Sequence, residues 1–258
     1  MRRRQLFEFM DQAWLPERLR DLLRDQLVAA DLVVPAYDAV LPLLRETLAF
    51  AETSRVVDLC SGTGGPARRL GPKLVRQGAA HEVVLTDLFP ALDDAEPRDG
   101  LRVYPDPVNA TAVPDELEGM RTLFNAFHHF PPGVARAMLA DAADAGQPIV
   151  VFEILSRTPR GFLTGLGVGL ISPLTVWALR PVELDRIVWN TVLPVVPTLL
   201  LWEGFASCLR VYQEDELREL TAGLGGSSYV WDTGVVRADP LNRILWLRGR
   251  PRESQRCA

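Results

Sequence analysis

Residues 56–70 read VVDLCSGTGGPARRL. An apolar pair runs into an acid, Asp58, then into a turn of small residues, then into a helix start. From there the chain alternates. RVVDL, HEVVLTDL, RVYPD, MRTLFNAF and QPIVVFEI read as strands, while GPARRLGPKLVRQG and PGVARAMLADAADAG read as helices. Short apolar runs between helical stretches are βαβ units, which build a mostly parallel sheet covered on both faces. Right-handed crossovers then give a doubly wound sheet that binds ligands at the C-terminal ends of its strands. Near the end, SSYVWDTGVV and NRILWLRGR read as a hairpin turning at Asp239 and Pro240. The expectation is an α/β, Rossmann-like, mostly parallel seven-stranded sheet closed by an antiparallel C-terminal hairpin.

Two segments stand outside this alternation. Residues 1–54 read as a helical cap of two or three amphipathic helices, with Pro16 and Pro35 in first helical turns. Residues 155–212 are too long for a plain connection and read as an apolar helical lid. The core is then 55–154 with 213–250.

Composition excludes several classes. The chain has 258 residues, 48% hydrophobic and 24% charged, with net charge −5. That suits one large domain and disfavours nucleic acid as partner. Lys73 is the only lysine, so arginine carries almost all the basic charge, as in proteins of GC-rich bacteria. Cys60, Cys208 and Cys257 are far apart, odd in number and without metal-ligand spacing, which fits a reducing cytoplasm. MRRRQLFEFMDQAW lacks the apolar core of a signal peptide, and Arg2, Arg3 and Arg4 read as a solvated end. No metal site is read; Asp93, Asp94 and Asp99 lie in a turn-like acidic stretch and read as solvated.

The glycines from Gly62 to Ala67 scan as GxGxxA, which a dinucleotide-binding turn also satisfies. Asp58 shifts the balance. A carboxylate at that strand end repels a pyrophosphate and attracts a cation, and S-adenosylmethionine carries an ammonium and a sulfonium but no phosphate. On VVDLCSGTGG the sequence resembles the class I S-adenosylmethionine-dependent methyltransferases. The resemblance covers residues 55–154, with weaker support from the hairpin. It implies that Asp58 acts on the methionine end of the cofactor. Gly62 and Gly64 would let the backbone approach it, with Cys60 in the same turn.

Further matches follow in order. Asp87 ends VVLTDLF, about 20 residues beyond the glycines, where an acid holds ribose hydroxyls. Leu88, or the neighbouring Phe89, would pack on adenine. PVNATAVP stands where the family reads adenine, with Asn109 in place of the usual acid; its carbonyl oxygen, or the backbone of Ala110, would meet the exocyclic amine. LFNAFHHF resembles the fourth motif and puts Asn125 near the cofactor, with Phe127, His128 and His129 just beyond. The HHF run also resembles small-molecule methyltransferases of the quinone-biosynthesis kind.

Methyl transfer draws much of its rate from alignment and needs a base only when the acceptor sheds a proton. His128 and His129 are the candidate bases, each with the alternative of a turn cap or packing role. His81 reads as a surface residue. Glu153 ends IVVFE in the same cleft and could orient a histidine or a basic substrate, or cap a helix. Glu203, Ser207 and Arg210 share one helical face. That face either binds a polar group of the substrate or forms a buried ion pair tying the insertion to the sheet. The aromatics of the insertion, Trp177 and Trp202 among them, suggest an apolar cavity that Trp14 and the N-terminal stretch close over; Tyr37 is counted with these substrate contacts.

Residues 161–179 carry no charge and include glycines at GxxxG spacing. Pro173 and the glycines weigh against a membrane span; peripheral membrane contact or a lipid-like substrate stays open, as does a homodimer. The functional expectation is methyl transfer from S-adenosylmethionine to a small, fairly hydrophobic or aromatic acceptor by a cytoplasmic bacterial enzyme. The alternatives are cofactor-assisted cyclisation or elimination without methyl loss, a non-catalytic binder, and a dinucleotide oxidoreductase.

Overall fold

The computed structural model describes residues 1–90 and 99–252. Asp93, Asp94 and Cys257 lie outside the described residues. The strands are β1 (Arg55–Asp58), β2 (Glu82–Leu85), β3 (Leu101–Val103), β4 (Met120–Phe124), β5 (Ile149–Glu153), β6 (Tyr229–Arg237) and β7 (Arg243–Pro251). They form one seven-stranded sheet in the order β3-β2-β1-β4-β5-β7-β6. The first five are parallel, and β7 runs antiparallel between β5 and β6. The chain winds outward in both directions from β1 and β4, so the crevice for a ligand opens where those two strands end.

The strands read as unbroken apolar runs because both faces are buried. On one face Val57, Val84, Leu123 and Val151 pack with Met138 and Leu139 of α4 (Pro132–Asp144) and Leu217 of α8 (Glu214–Thr221). On the other, Val56, Val83, Met120 and Val150 meet Leu44 and Leu48 of α2 (Leu41–Ala51) and Leu70 and Leu74 of α3 (Gly65–Arg76). The alternation of neighbours such as Val56 and Val57 between the faces is the period-two signature of a strand.

Ahead of the sheet, α1 (Glu17–Val33) begins after Pro16, and Pro35 precedes a short 3-10 turn, Ala36–Val40. Both prolines stand at the cap, one position earlier than the expected first turn, where a missing N–H likewise leaves no acceptor unpaired. Residues 1–16 form no helix or strand. Arg3 is not a solvated end. Its guanidinium donates to the carbonyls of His128 (3.2 Å) and Phe130 (2.9 Å) and lies 4.1 Å from the centre of the Tyr212 ring. The open carbonyls of the turn after β4 need donors, and Arg3 supplies them.

Between β5 and α8 the chain forms α5 (Pro159–Thr175), α6 (Leu184–Ile187) and α7 (Val195–Arg210). The glycine stripe of α5 is an intrachain helix contact. A Cβ on Gly165 would lie 2.8 Å from the Gly204 carbonyl oxygen, and one on Gly169 would lie 2.9 Å from the carbonyl oxygen of Pro197. Only glycine lets the two backbones approach this closely. Among the described residues one continuous helix, Pro159–Ala178, is long and apolar enough to cross a membrane. Leu163, Leu170, Leu174 and Trp177 on it are exposed. On the other side, Leu15, Leu22 and Leu23 pack on Val196 and Leu200, binding the N-terminal segment and α1 to α7.

Candidate functional site

Two polar groupings meet at the C-terminal ends of β1, β2, β4 and β5. The first is the turn between β1 and α3. Cys60, Gly62, Gly64 and Gly65 all have positive φ, at 56°, 55°, 98° and 36°. A Cβ on Gly62 would meet nothing within 4 Å among the described residues, which leaves room on that side of the turn. Gly64 is closed instead, because its Cβ would fall 2.3 Å from Cγ of Arg68. The Arg68 Nε donates to the Thr63 carbonyl at 2.6 Å. This cation over the turn was missed in the sequence, although its place in the first turns of α3 was the available signal. A shallow crevice of about 10 Å3, lined by Ser61, Gly62, Arg68, Thr86, Asp87 and Pro90 among others, lies beside the turn. A wider open groove of about 640 Å3 lies at the other end of the sheet, beside Ser54 and Gln77, away from both groupings.

Asp58 does not stand at the face of the turn. It is 3% exposed, and its two oxygens accept from Thr122 Oγ1 (2.7 Å) and Ser61 Oγ (2.6 Å). Burial pushes its carboxyl up to about 7 against those hydroxyls, and the Asp87 charge adds to the rise. The direct repulsion of a pyrophosphate expected of Asp58 is therefore corrected: its first task is to hold the turn and β4 together. The Cys60 thiol is pushed up to about 12, by burial first and then by Asp87 and Asp58, so it stays protonated.

Asp87 accepts from Gly62 N (2.8 Å) on one oxygen and from Phe89 N (2.9 Å) on the other. A carboxylate has about four acceptor sites, which leaves two for hydroxyls. Leu88 and Phe89 are 51% and 81% exposed beside it. Val108 N donates to the Asp87 carbonyl at 2.9 Å, which draws Asn109 and Ala110 to the same edge. The acceptor role expected of Asn109 is not available, because its Oδ1 already accepts from Thr111 N (3.0 Å) and Thr111 Oγ1 (2.9 Å). An Asn two residues before a Thr is a turn-forming pair, and that was legible. Ala110 is buried. Asn125, just past the end of β4, has φ of 51° and an Oδ1 that is buried without a hydrogen-bond partner among the described residues.

The second grouping is built around the 3-10 turn Phe127–His129. His128 is 1% exposed, and Glu153 holds it twice: Oε1 accepts from the His128 backbone N–H at 2.9 Å and Oε2 lies 2.8 Å from Nδ1. Burial opposes the imidazolium, but Glu153 overrides it, and the net effect raises the imidazole above its usual range. His129 Nδ1 lies 3.0 Å from Asp11 Oδ1 and 3.1 Å from Glu8 Oε2. Ser207 Oγ donates to Glu8 Oε1 at 2.7 Å. Arg210 donates to Asp11 (2.7 Å) and to the carbonyls of His129 (2.6 Å) and His128 (3.4 Å). Glu203 accepts from Phe9 N, and burial, with Glu8 beside it, pushes its carboxyl up to about 7.

The structure thus brings His128, His129 and Glu153 together, and adds Glu8 and Asp11, which sequence reasoning missed. Other expectations are corrected. Phe127 is fully buried against Tyr212, with ring centres 5.4 Å apart, so it belongs to the core. Glu203 and Arg210 share a face with Ser207 on α7, as read, but that face is consumed by residues 8–11 and the 128–129 turn. Trp202 donates through Nε1 to the Phe7 carbonyl at 3.1 Å and stacks on Phe7, so it anchors the N-terminal segment. Trp14 and Trp177 are 66% and 50% exposed. Tyr37 is buried edge-on to Phe124 at 5.5 Å, and burial raises its hydroxyl well above the usual range. Asp99 sits in an exposed turn.

No protein-family model matches the chain, and no curated protein matches it. Solved structures do. The plantazolicin methyltransferase BpumL in complex with SAH is similar over 92% of this chain and 98% of its own, with TM-score 0.53 and 10% identity. The same enzyme with a monoazolic desmethylPZN analog and SAH matches over the same shares, with TM-score 0.52 and 9% identity. LepI in complex with SAM aligns over 76% of this chain and 43% of its own, with TM-score 0.46 and 18% identity. The chain has the fold of the class I S-adenosylmethionine-dependent methyltransferases.

Proposed function

We propose that this protein is a methyltransferase that moves the methyl group of S-adenosylmethionine to a small, fairly hydrophobic or aromatic acceptor. The observation that carries the reading is the orphaned Oδ1 of Asn125, a buried acceptor just past the end of β4 and beside the crevice. Buried acceptors without donors are costly, and the ammonium of an amino-acid tail supplies one. The remaining groups fit the same ligand. Asp87 has acceptor capacity for two ribose hydroxyls, and Gly62 leaves room above the turn. When bound, the cofactor supplies a methyl group already activated on a positive sulfur. The chain's own task is then chiefly to hold an acceptor in line with it.

Where the acceptor carries a proton, the histidine pair is the proposed base. His129, 27% exposed at its side chain, is the reachable member; His128 is sealed beneath residues 3–11. The exposed apolar side chains of α5 support a hydrophobic acceptor or a peripheral membrane contact. A cytoplasmic location belongs to the same proposal. Incubation with S-adenosylmethionine and a panel of aromatic and aliphatic alcohols, amines and carbon acids tests the reading. The expected result is S-adenosylhomocysteine with a singly methylated product. Turnover of an acceptor with no S-adenosylhomocysteine formed would instead mean non-methylating chemistry.

Asp58 makes a pH prediction. Burial pushes its carboxyl up to about 7 in the folded protein, from an ordinary 3.8. The folded state therefore favours the neutral form. That stabilisation is complete below pH 4 and is lost as pH rises toward 7, by about 4 kcal/mol in total. The thermal midpoint of the ligand-free protein should carry a downward component between about pH 4 and 7, and Asp58→Asn should flatten it. An identical pH profile for the variant would contradict the buried-carboxyl account.

A further inference from the structure

We infer that Glu8, His128 and His129 form a site for one divalent transition-metal ion of the zinc, cobalt and iron class. The site lies where the N-terminal segment, the turn after β4 and α7 meet, and the inference stands apart from the cofactor reading. One ligand atom from each residue lies within 4.8 Å of the others. Metal–nitrogen and metal–oxygen bonds of about 2.0–2.2 Å place neighbouring tetrahedral ligands roughly 3.3 Å apart. The Glu8 Oε2–His129 Nδ1 edge already measures 3.1 Å. His128 would close by about 1.5 Å at most to complete the set.

Three independent observations point to a cation. Glu8 is 0% exposed, and among the described residues its Oε2 makes no hydrogen bond, only the 3.1 Å ion-pair contact with His129 Nδ1, while the buried Oε2 of Glu203 has no hydrogen-bond partner. The imidazole of His128 is held through Nδ1 by Glu153, the carboxylate–histidine arrangement that orients metal-bound imidazoles and leaves Nε2 for the ion. Finally, Arg3 donates to carbonyls, and Arg210 approaches Glu8 at Oε1 (3.4 Å), not Oε2, so neither guanidinium covers that buried oxygen.

Two imidazoles with one carboxylate suit zinc, cobalt or iron and not the hard ions magnesium and calcium, which take oxygen ligands. The 27% and 37% exposure of the His129 and Asp11 side chains gives an entry path. With three protein ligands the ion keeps an open position for a heteroatom of the acceptor. Histidines so engaged are not free bases, so metal-assisted and histidine-based proton removal are alternatives. Sequence spacing could not reveal the set, because only the fold joins Glu8 to residues 128 and 129.

The test uses the full chain, stripped with a chelator and titrated with Zn2+ by calorimetry. Metal content is then measured after dialysis, and Co2+ absorption is recorded in the visible. One Zn2+ per chain is expected, with a rise in thermal midpoint and a Co2+ band of low-coordinate type. Glu8→Gln and His129→Gln should each weaken Zn2+ binding by about 100-fold or more, and Glu153→Gln by about 10–100-fold. His81→Gln removes an exposed histidine elsewhere and should change nothing. Should Glu8→Gln fail to fold, the part-exposed His129→Gln decides. Absence of saturable Zn2+ binding, or binding that His129→Gln leaves unaltered, overturns the site.

Discussion

Asp87→Ala is expected to weaken S-adenosylmethionine binding by about 100-fold, the sum of two hydrogen bonds to a charged acceptor at about 1.5 kcal/mol each. In the empty protein Asp87 ties Gly62 N and Phe89 N, so one carboxylate both shapes the turn and keeps acceptor sites for the ribose. Asp87→Asn retains one acceptor oxygen and should fall between wild type and Asp87→Ala. Calorimetric titration of the three proteins checks the order. Affinity of Asp87→Ala within threefold of wild type would remove Asp87 from the ligand site.

Gly204→Ala carries the second large effect, on stability. Its Cβ would fall 2.2 Å from the carbonyl oxygen and 2.5 Å from the carbonyl carbon of Gly165, both backbone atoms of α5. No side-chain rotation relieves such a clash, so α5 and α7 must separate. Overpacking of this kind costs about 3 kcal/mol. For a chain of this length that lowers the thermal midpoint by roughly 6–12 °C. Gly167→Ala is the control, since its Cβ would meet nothing within 4 Å and alanine favours a helix. Equal midpoints for the two variants would contradict the close crossing.

The sheet was legible because parallel strands buried on both faces leave unbroken apolar runs, and glycines with positive φ announce the turn after β1. The order of candidate ligand-holding residues along the chain, Asp58, Asp87 and Asn125, could be read for the same reason: each ends a strand. Whether an acid at a strand end faces ligand or protein could not be read. Asp58 turned inward because Ser61 and Thr122 offer it hydroxyls, and Thr122 lies on a strand distant in sequence.

The polar cluster was half legible. HHF and Glu153 were visible, but Glu8 and Asp11 lie in a segment without helix or strand, whose partners on α7 are almost 200 positions away. No periodicity marks such a segment, and its arginines look like a solvated tail. The glycine stripe of residues 161–169 suggested membrane packing for the same reason. Its partner, Gly204, shows its meaning only once α5 and α7 cross.

The central claim is that the turn after β1 receives a sulfonium nucleoside. Calorimetric titration of the purified chain with S-adenosylmethionine, S-adenosylhomocysteine, NAD+ and FAD tests it most directly. The account predicts saturable binding of one equivalent of either S-adenosyl compound and none of the dinucleotides. Binding of NAD+ or FAD with no heat from either S-adenosyl compound would contradict it.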